Sequence, residues 1–136
     1  MYNPKLKQAK QRRKLNRRMF NEFYKHLVLG KSHGLGVFAG KSFRPQETVE
    51  IAPCIHNPDM YSEAFGDYVF ESSVPGYAST LVLGYGSLYN HAEQPNLDYY
   101  TYNERFMLYY ANRPIKLGEE LTINYGPGWW DGRDKD

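Results

Sequence analysis

The stretch from Gly118 to Trp130, GEELTINYGPGWW, constrains the fold more than any other part of this sequence. A glycine turn and paired acids lead into an alternating segment, which a Tyr-Gly break ends before two adjacent tryptophans. Alternation of apolar and polar side chains predicts a strand with one buried face. The tryptophans then either close a core or line a binding site, and both interpretations are open on this stretch alone.

The composition is that of one strand-rich domain. A chain of 136 residues has the usual length of a single domain with a short extension. Aromatic residues make up 16% of the chain, which favours a mainly β fold with phenol-lined clefts. The single Cys54 excludes an internal disulfide and a thiolate zinc cluster, so we predict no metal site.

We expect the protein to be intracellular and to make no membrane contact. No apolar run approaches the roughly 18 residues of a membrane-spanning helix. The N-terminus is polar from Tyr2 to Arg18 and does not resemble a signal peptide.

Charge is divided between a basic N-terminal arm and an acidic body. Residues 5–25 carry nine basic side chains against one acid, whereas residues 26–136 carry eight basic and fourteen acidic side chains. The arm suits contact with nucleic-acid phosphates, or it is a solvated tail with a role in localisation. The acidic body would attract a cationic peptide by long-range electrostatic steering.

The arm also has a helical pattern of apolar residues. Neither glycine nor proline interrupts it, and apolar side chains recur at three- and four-residue spacing, namely Leu15, Met19, Phe20, Phe23 and Leu27. This pattern predicts an amphipathic helix within residues 1–27. Its apolar stripe would pack on the body or on a second copy of the chain.

Turn signals divide the body into short predicted strands. We expect a turn at 30–33, a strand at 48–51 and a loop bracketed by Pro53 and Pro58. A hairpin is predicted from 97–102 and 105–112 around Asn103-Glu104.

Two further pairs of residues have both a structural and a ligand-binding interpretation. Gly34 and Gly36 let backbone amides approach a ligand closely, or they form a hairpin turn. Asn90 and His91 lie side by side and offer donors and acceptors to a polar ligand such as an adenine edge, or their partners lie within the fold.

Three motifs in order resemble the SET domain, the lysine methyltransferase module: GLGVFA at 34–39, NHAEQPN at 90–96 and GEELTINYG at 118–126. The similarity extends to the small stand-alone viral members of the family in chlorella viruses. It implies a mainly β fold of several small curved sheets with a C-terminal pseudoknot, and S-adenosylmethionine as cofactor. The implied division is a basic helical extension at 1–27, the SET domain at 28–130 and a polar tail at 131–136.

The resemblance also implies the site residues. The cofactor-binding set comprises Gly34, Leu35, Gly36, Asn90, His91, Tyr125 and Trp130. The substrate lysine channel comprises Tyr68, Trp129 and Tyr125, with Tyr125 as the catalytic residue. In-line methyl transfer mainly needs alignment, and burial of the lysine ammonium beside a cationic cofactor promotes loss of its proton. Core packing is the alternative role of each tryptophan.

The implied activity is S-adenosylmethionine-dependent protein-lysine N-methylation of a histone tail, with histone H3 favoured. The expected partners are a histone tail peptide or nucleosome, DNA through the basic helix, and a second copy in a homodimer. The expected location is the nucleus, or a host-cell nucleus. The alternative is a catalytically weak SET-like module that binds chromatin or a peptide. Ala92 stands where the family motif usually has serine, and Leu35 where the viral members have tyrosine, so the methylated lysine and the degree of methylation are open.

Overall fold

The computed structural model describes residues 23–58 and 68–126, which form two small β-sheets. The strands in chain order are β1 (Leu27–Ser32), β2 (Gly34–Ala39), β3 (Thr48–Asn57), β4 (Val69–Glu71), β5 (Ser79–Val82), β6 (Asn90–His91), β7 (Leu97–Tyr102), β8 (Phe106–Ala111) and β9 (Glu120–Ile123). One sheet has the order β1-β2-β9-β6 and the other β4-β5-β3-β8-β7. The predicted mainly β fold is confirmed.

The described part begins with the last turn before β1. The predicted helix over 1–27 lies largely outside the described residues. Its assignment to Leu27 is wrong, because Leu27 pairs with Ala39 across the first hairpin and is buried. The physical reason is that the chain turns at His26, whose amide donates to the carbonyl of Phe23, and continues extended.

The first hairpin is tighter than the predicted turn at 30–33. Ser32 pairs with Gly34, which leaves His33 alone at the tip. Gly34 has φ of 80°, a conformation that glycine adopts without steric strain. Gly30 therefore lies within β1, where it pairs with Gly36.

The predicted loop between Pro53 and Pro58 is instead the second half of β3. The strand changes partner at Pro53, which pairs with Phe106, while the next residue Cys54 pairs with Val82 of β5. Proline lacks a backbone N–H, so it is tolerated where one partner strand ends and the next begins. Its carbonyl accepts a hydrogen bond from the amide of Leu83 at 2.8 Å.

The predicted hairpin of β7 and β8 is confirmed. Tyr102 pairs with Phe106, which leaves Asn103, Glu104 and Arg105 in the turn. The Arg105 amide donates to the carbonyl of Tyr102 at 3.3 Å, and the two residues between them, Asn103 and Glu104, have φ of 52° and 57°. Left-handed conformation at both central positions is characteristic of the type I′ turn, whose twist matches that of paired antiparallel strands.

Strand β9 is inserted between β2 and β6. It runs antiparallel to β2, with Val37 opposite Leu121, and parallel to β6, with Asn90 opposite Thr122. Its apolar face, Leu121 and Ile123, is fully buried. This position matches the threaded C-terminal segment that the SET resemblance implies.

One core serves both sheets. It joins apolar side chains of β1, β2 and β9 to those of β3, β5, β7 and β8, including the large side chains Tyr89, Leu97 and Tyr109. Because the core is shared, the inserted strand and the five-stranded sheet are held in one packed unit. Residues 23–58 and 68–126 contain no helix long and apolar enough to cross a membrane.

Candidate functional site

Six of the predicted site residues come together at one end of β9. Asn90 and His91 form β6, the segment Gly34 to Gly36 opens β2, and Tyr125 follows β9. The Asn90 side-chain amide donates to the carbonyl of Leu35 at 3.3 Å, and the amide of Tyr125 donates to His91 Nδ1 at 3.1 Å. Segments far apart in the sequence thus meet at one place because β9 bridges β2 and β6.

Tyr125 is held by its main chain and its hydroxyl. The hydroxyl donates to the carbonyl of Tyr89 at 2.8 Å, and the ring lies 5.2 Å from the His91 ring, centroid to centroid. Burial raises the Tyr125 pKa, a hydrogen bond with the main chain of His91 partly opposes the rise, and the nearby carboxylate of Glu120 adds a smaller increase. The phenol therefore stays protonated near neutral pH and acts as a hydrogen-bond donor rather than a base.

The contact with Tyr125 fixes the tautomer of His91. Because Nδ1 accepts the Tyr125 N–H, the neutral ring carries its proton on Nε2. A ring held in this way presents an N–H donor in a defined direction.

Glu120 belongs to this site although the sequence analysis assigned it no role. Its carboxylate accepts from the Asn90 amide at 2.8 Å and from the Ser32 hydroxyl at 2.6 Å. A Cβ at position 36 would lie 2.6 Å from Glu120 Oε2 and 3.0 Å from Asn90 Nδ2. Gly36 is therefore required for this close approach. The sequence signal for Glu120 was an acidic residue on the polar face of an alternating strand, which pairs with a glycine-rich strand.

Three further residues of the predicted site are Tyr68, Trp129 and Trp130. Tyr68 is 51% exposed, and its carbonyl accepts from the Ser87 hydroxyl at 2.8 Å, so its main chain adjoins the segment that leads into β6. Trp129 and Trp130 lie outside the described residues. The channel roles of Tyr68 and Trp129 and the cofactor-binding role of Trp130 stay predictions. In the described part of the chain no cluster of three His, Cys, Asp or Glu side chains is arranged to hold a metal ion.

Comparison with known proteins identifies the same region. The sequence profile of the SET domain matches residues 34–126. A Schizosaccharomyces pombe protein named histone-lysine N-methyltransferase, H3 lysine-37 specific, is 34% identical over 102 residues, which are 71% of this chain and 69% of that protein.

Solved structures show the same likeness. A histone methyltransferase candidate of Plasmodium falciparum is 35% identical, with a TM-score of 0.61 over 77% of this chain and 96% of that chain. The Cryptosporidium protein CpSET8 is 20% identical, with a TM-score of 0.61 over 74% of this chain and 57% of that chain, a similarity of fold alone.

Proposed function

This chain belongs to the SET-domain family of protein-lysine methyltransferases, and on that premise we propose that it methylates a lysine of a histone tail, with histone H3 as the favoured substrate. The methyl donor is S-adenosylmethionine. The observation that carries the proposal is the convergence of Gly34–Gly36, Asn90–His91 and Tyr125 at the end of β9. The similarity to the yeast histone H3 lysine-37 methyltransferase supports the choice of substrate.

The residues present fit this cofactor. S-adenosylmethionine carries a sulfonium and an ammonium, and the Glu120 carboxylate supplies a negative charge at a site that also contains the carbonyl of Leu35. The main chain of Gly34 to Gly36, together with Asn90 and His91, would hold the cofactor. When bound, it supplies an electrophilic methyl group.

Tyr125 would orient the lysine amine. Its protonated hydroxyl is held by the Tyr89 carbonyl, so the oxygen occupies a fixed position from which its lone pairs can contact the reacting groups. Displacement at a methyl carbon needs a neutral amine in line with the leaving sulfur. A buried channel lowers the pKa of the lysine ammonium, so the reaction needs no dedicated general base. Tyr68 and Trp129 are proposed for that channel and Trp130 for the cofactor.

Charge supports a basic peptide as substrate and DNA as a partner of the arm. The body from residue 26 onward carries more acidic than basic side chains, which favours approach of a histone tail. The basic extension before β1 would bind nucleosomal DNA in the nucleus, ahead of a SET domain that ends near residue 130 and a tail at 131–136. A homodimer and a specific kinship with the viral members also belong to this proposal and rest on the sequence pattern.

The test uses labelled S-adenosylmethionine with nucleosomes, separate histones and histone H3 variants with single lysine-to-arginine substitutions. Tyr125→Phe is expected to reduce methyl transfer on the order of 100-fold, as for loss of one group that fixes a transition state, while calorimetry shows retained cofactor binding. Tyr99→Phe is the matched control, because that half-buried phenol donates to the neighbouring carbonyl of Asn124 at 3.4 Å. It should stay active.

Equal activity of Tyr125→Phe and the natural chain would remove Tyr125 from its catalytic role. Cofactor and histone binding without any methyl transfer would instead indicate the alternative, a binding module.

Nucleosome binding tests the basic arm separately. Replacement of Arg12, Arg13, Arg17 and Arg18 by Gln should lower the salt dependence of binding, because each lost phosphate contact reduces counterion release. Substitution is preferable to deletion of residues 1–25, because Tyr24 donates a hydrogen bond to Glu50 at 2.8 Å. An unchanged salt slope would show that these arginines do not contact DNA.

A further inference from the structure

We propose that Glu50 is a positioning residue for the catalytic hydroxyl of Tyr125, acting from within the core through Tyr89. The inference rests on the proposed role of Tyr125 and extends it to a carboxylate that has no surface exposure. The hydrogen-bond partners of Glu50 are Tyr24, Tyr85 and Tyr89, none of which belongs to the two polar segments, Gly34–Gly36 and Asn90–His91, of the candidate cofactor site.

Glu50 occupies an unusual position in β3. It and its neighbour Val49 are both buried, at 0% and 1% exposure, although alternate strand residues normally face opposite sides. The register with β8 shifts between Thr48 and Glu50, which is the signature of a β-bulge. A bulge re-aims side chains, and here it turns a carboxylate into the core.

Three donors from two other segments surround this carboxylate. One oxygen accepts from the Tyr89 hydroxyl at 2.6 Å. The other accepts from the Tyr24 hydroxyl at 2.8 Å and from the Tyr85 amide at 2.9 Å. Glu50 thus ties the turn before β1 and the segment before β6 to the middle of the five-stranded sheet.

Tyr89 carries this constraint to the site. Its ring is buried and lies 4.8 Å from the Tyr109 ring, and its hydroxyl is held by Glu50. The same residue directly precedes Asn90, and its carbonyl accepts the Tyr125 hydroxyl at 2.8 Å. Since the far end of the ring is fixed, the main chain of Tyr89 is fixed with it. Release of the ring would let the acceptor of Tyr125 move.

Stability alone does not account for a carboxylate at this place. Burial raises the Glu50 pKa, and the hydrogen bonds from Tyr89, Tyr85 and Tyr24 only partly oppose the shift. Folding therefore favours the protonated form, and that contribution is lost as the pH rises through the folded-state pKa. A buried ionised group is often less stabilising than an apolar residue of the same size. The hydrogen bonds from Tyr89 to Glu50 and from Tyr125 to Tyr89 indicate instead that Glu50 positions the Tyr125 hydroxyl.

The test is a double-mutant cycle in the full chain. Tyr89→Phe removes only the oxygen that contacts Glu50, and Glu50→Leu and Glu50→Gln change the carboxylate itself. Each is measured alone and with Tyr125→Phe, by kcat, by KM for S-adenosylmethionine and by thermal melting. Tyr109→Phe is the matched control, because its buried hydroxyl donates to the carbonyl of Gly86 at 3.1 Å rather than to Glu50.

We expect Tyr89→Phe and Glu50→Leu to lower kcat by about 10-fold or more, since small displacements of an aligned group are costly, with KM for the cofactor within about 2-fold. Glu50→Gln should restore much of the rate, because a carboxamide can contact the same three groups with the Tyr89 hydroxyl as acceptor. In the Tyr125→Phe background neither change should lower kcat further. Tyr109→Phe should keep kcat within about 2-fold.

Additive losses in the Tyr125→Phe background would overturn the proposal and leave Glu50 as a structural residue. An unchanged kcat in Tyr89→Phe would overturn it as well. If Glu50→Leu does not fold, Tyr89→Phe carries the same cycle through a single-atom change. Full activity of Tyr125→Phe alone would instead show that the proposed function has the wrong catalytic residue, so the two failures are distinct.

Discussion

Asn96 is the side chain whose removal should most directly release β9. It is 1% exposed, and its side-chain amide donates to the carbonyl of Glu120 at 2.8 Å. Its side-chain oxygen accepts from the amide of Thr122 at 2.9 Å. Asn96→Ala would therefore leave one carbonyl and one amide of β9 without these partners inside the fold.

The expected loss of stability follows from those two groups. A buried donor or acceptor left without a partner costs about 1–3 kcal/mol, so the loss of two partners should destabilise the variant by roughly 2–6 kcal/mol. The free energy of unfolding of a small domain is about 5–15 kcal/mol, so this loss is a large fraction of the total stability. At about 4 °C per kcal/mol for a domain of this size, the melting midpoint should fall by about 8–24 °C.

Urea unfolding measures the effect, with the slope m compared between variants to confirm that the same surface is exposed. Asn112→Ala is the matched control, since it deletes the same atoms from a half-buried side chain that donates to the carbonyl of Pro95 at 3.0 Å. That variant should lose about 1 kcal/mol. If the two variants lie within about 0.5 kcal/mol of each other, Asn96 does not hold β9 as argued.

Three further outcomes are expected. Gly36→Ala would place a Cβ 2.6 Å from Glu120 Oε2, so calorimetry should show that cofactor affinity falls about 10-fold. An unchanged affinity would contradict the placement of the cofactor at Gly36. Burial raises the Cys54 pKa to about 11, so the thiol should react slowly with iodoacetamide at pH 8 and faster as the pH rises. A reaction rate at pH 8 equal to that of an exposed thiol would contradict this prediction. Lys41 lowers the pKa of Glu47 through a 2.6 Å contact, a stabilisation that is present above the usual pKa of 4.5 and lost as the pH falls through the lowered value. Lys41→Ala should therefore destabilise the chain by less than about 1 kcal/mol at pH 7, with the deficit vanishing in acid; a deficit that persists at pH 3 would rule out this pair as its source.

Local patterns predicted the parts of the fold that local chemistry determines. The alternation of β9 and the turn at Asn103-Glu104 both follow from side-chain period and left-handed turn residues. The resemblance of the motifs to the SET domain predicted that Asn90 and Tyr125 lie in one site. Composition alone could not have predicted this.

The errors arise where distant segments decide the structure. Pro53 ends a strand by local rules, yet β5 and β8 supply separate partners on its two sides and the strand continues. Glu50 gave no local signal, because its three donors come from Tyr24, Tyr85 and Tyr89 and only the folded chain brings them together. Glu120 was visible as an acid in a strand, but its partner Asn90 follows only from the insertion of β9.

Strand β9 is synthesised after both of the strands with which it pairs. During synthesis β2 and β6 leave the ribosome well before Glu120, and the edges that later receive β9 are then available for pairing with other chains. Contacts of such long sequence separation form slowly because the loop must close first. The strand that covers those edges is followed directly by Tyr125. Pairing of β9 therefore covers these edges and positions Tyr125, the proposed catalytic residue, in the same folding step.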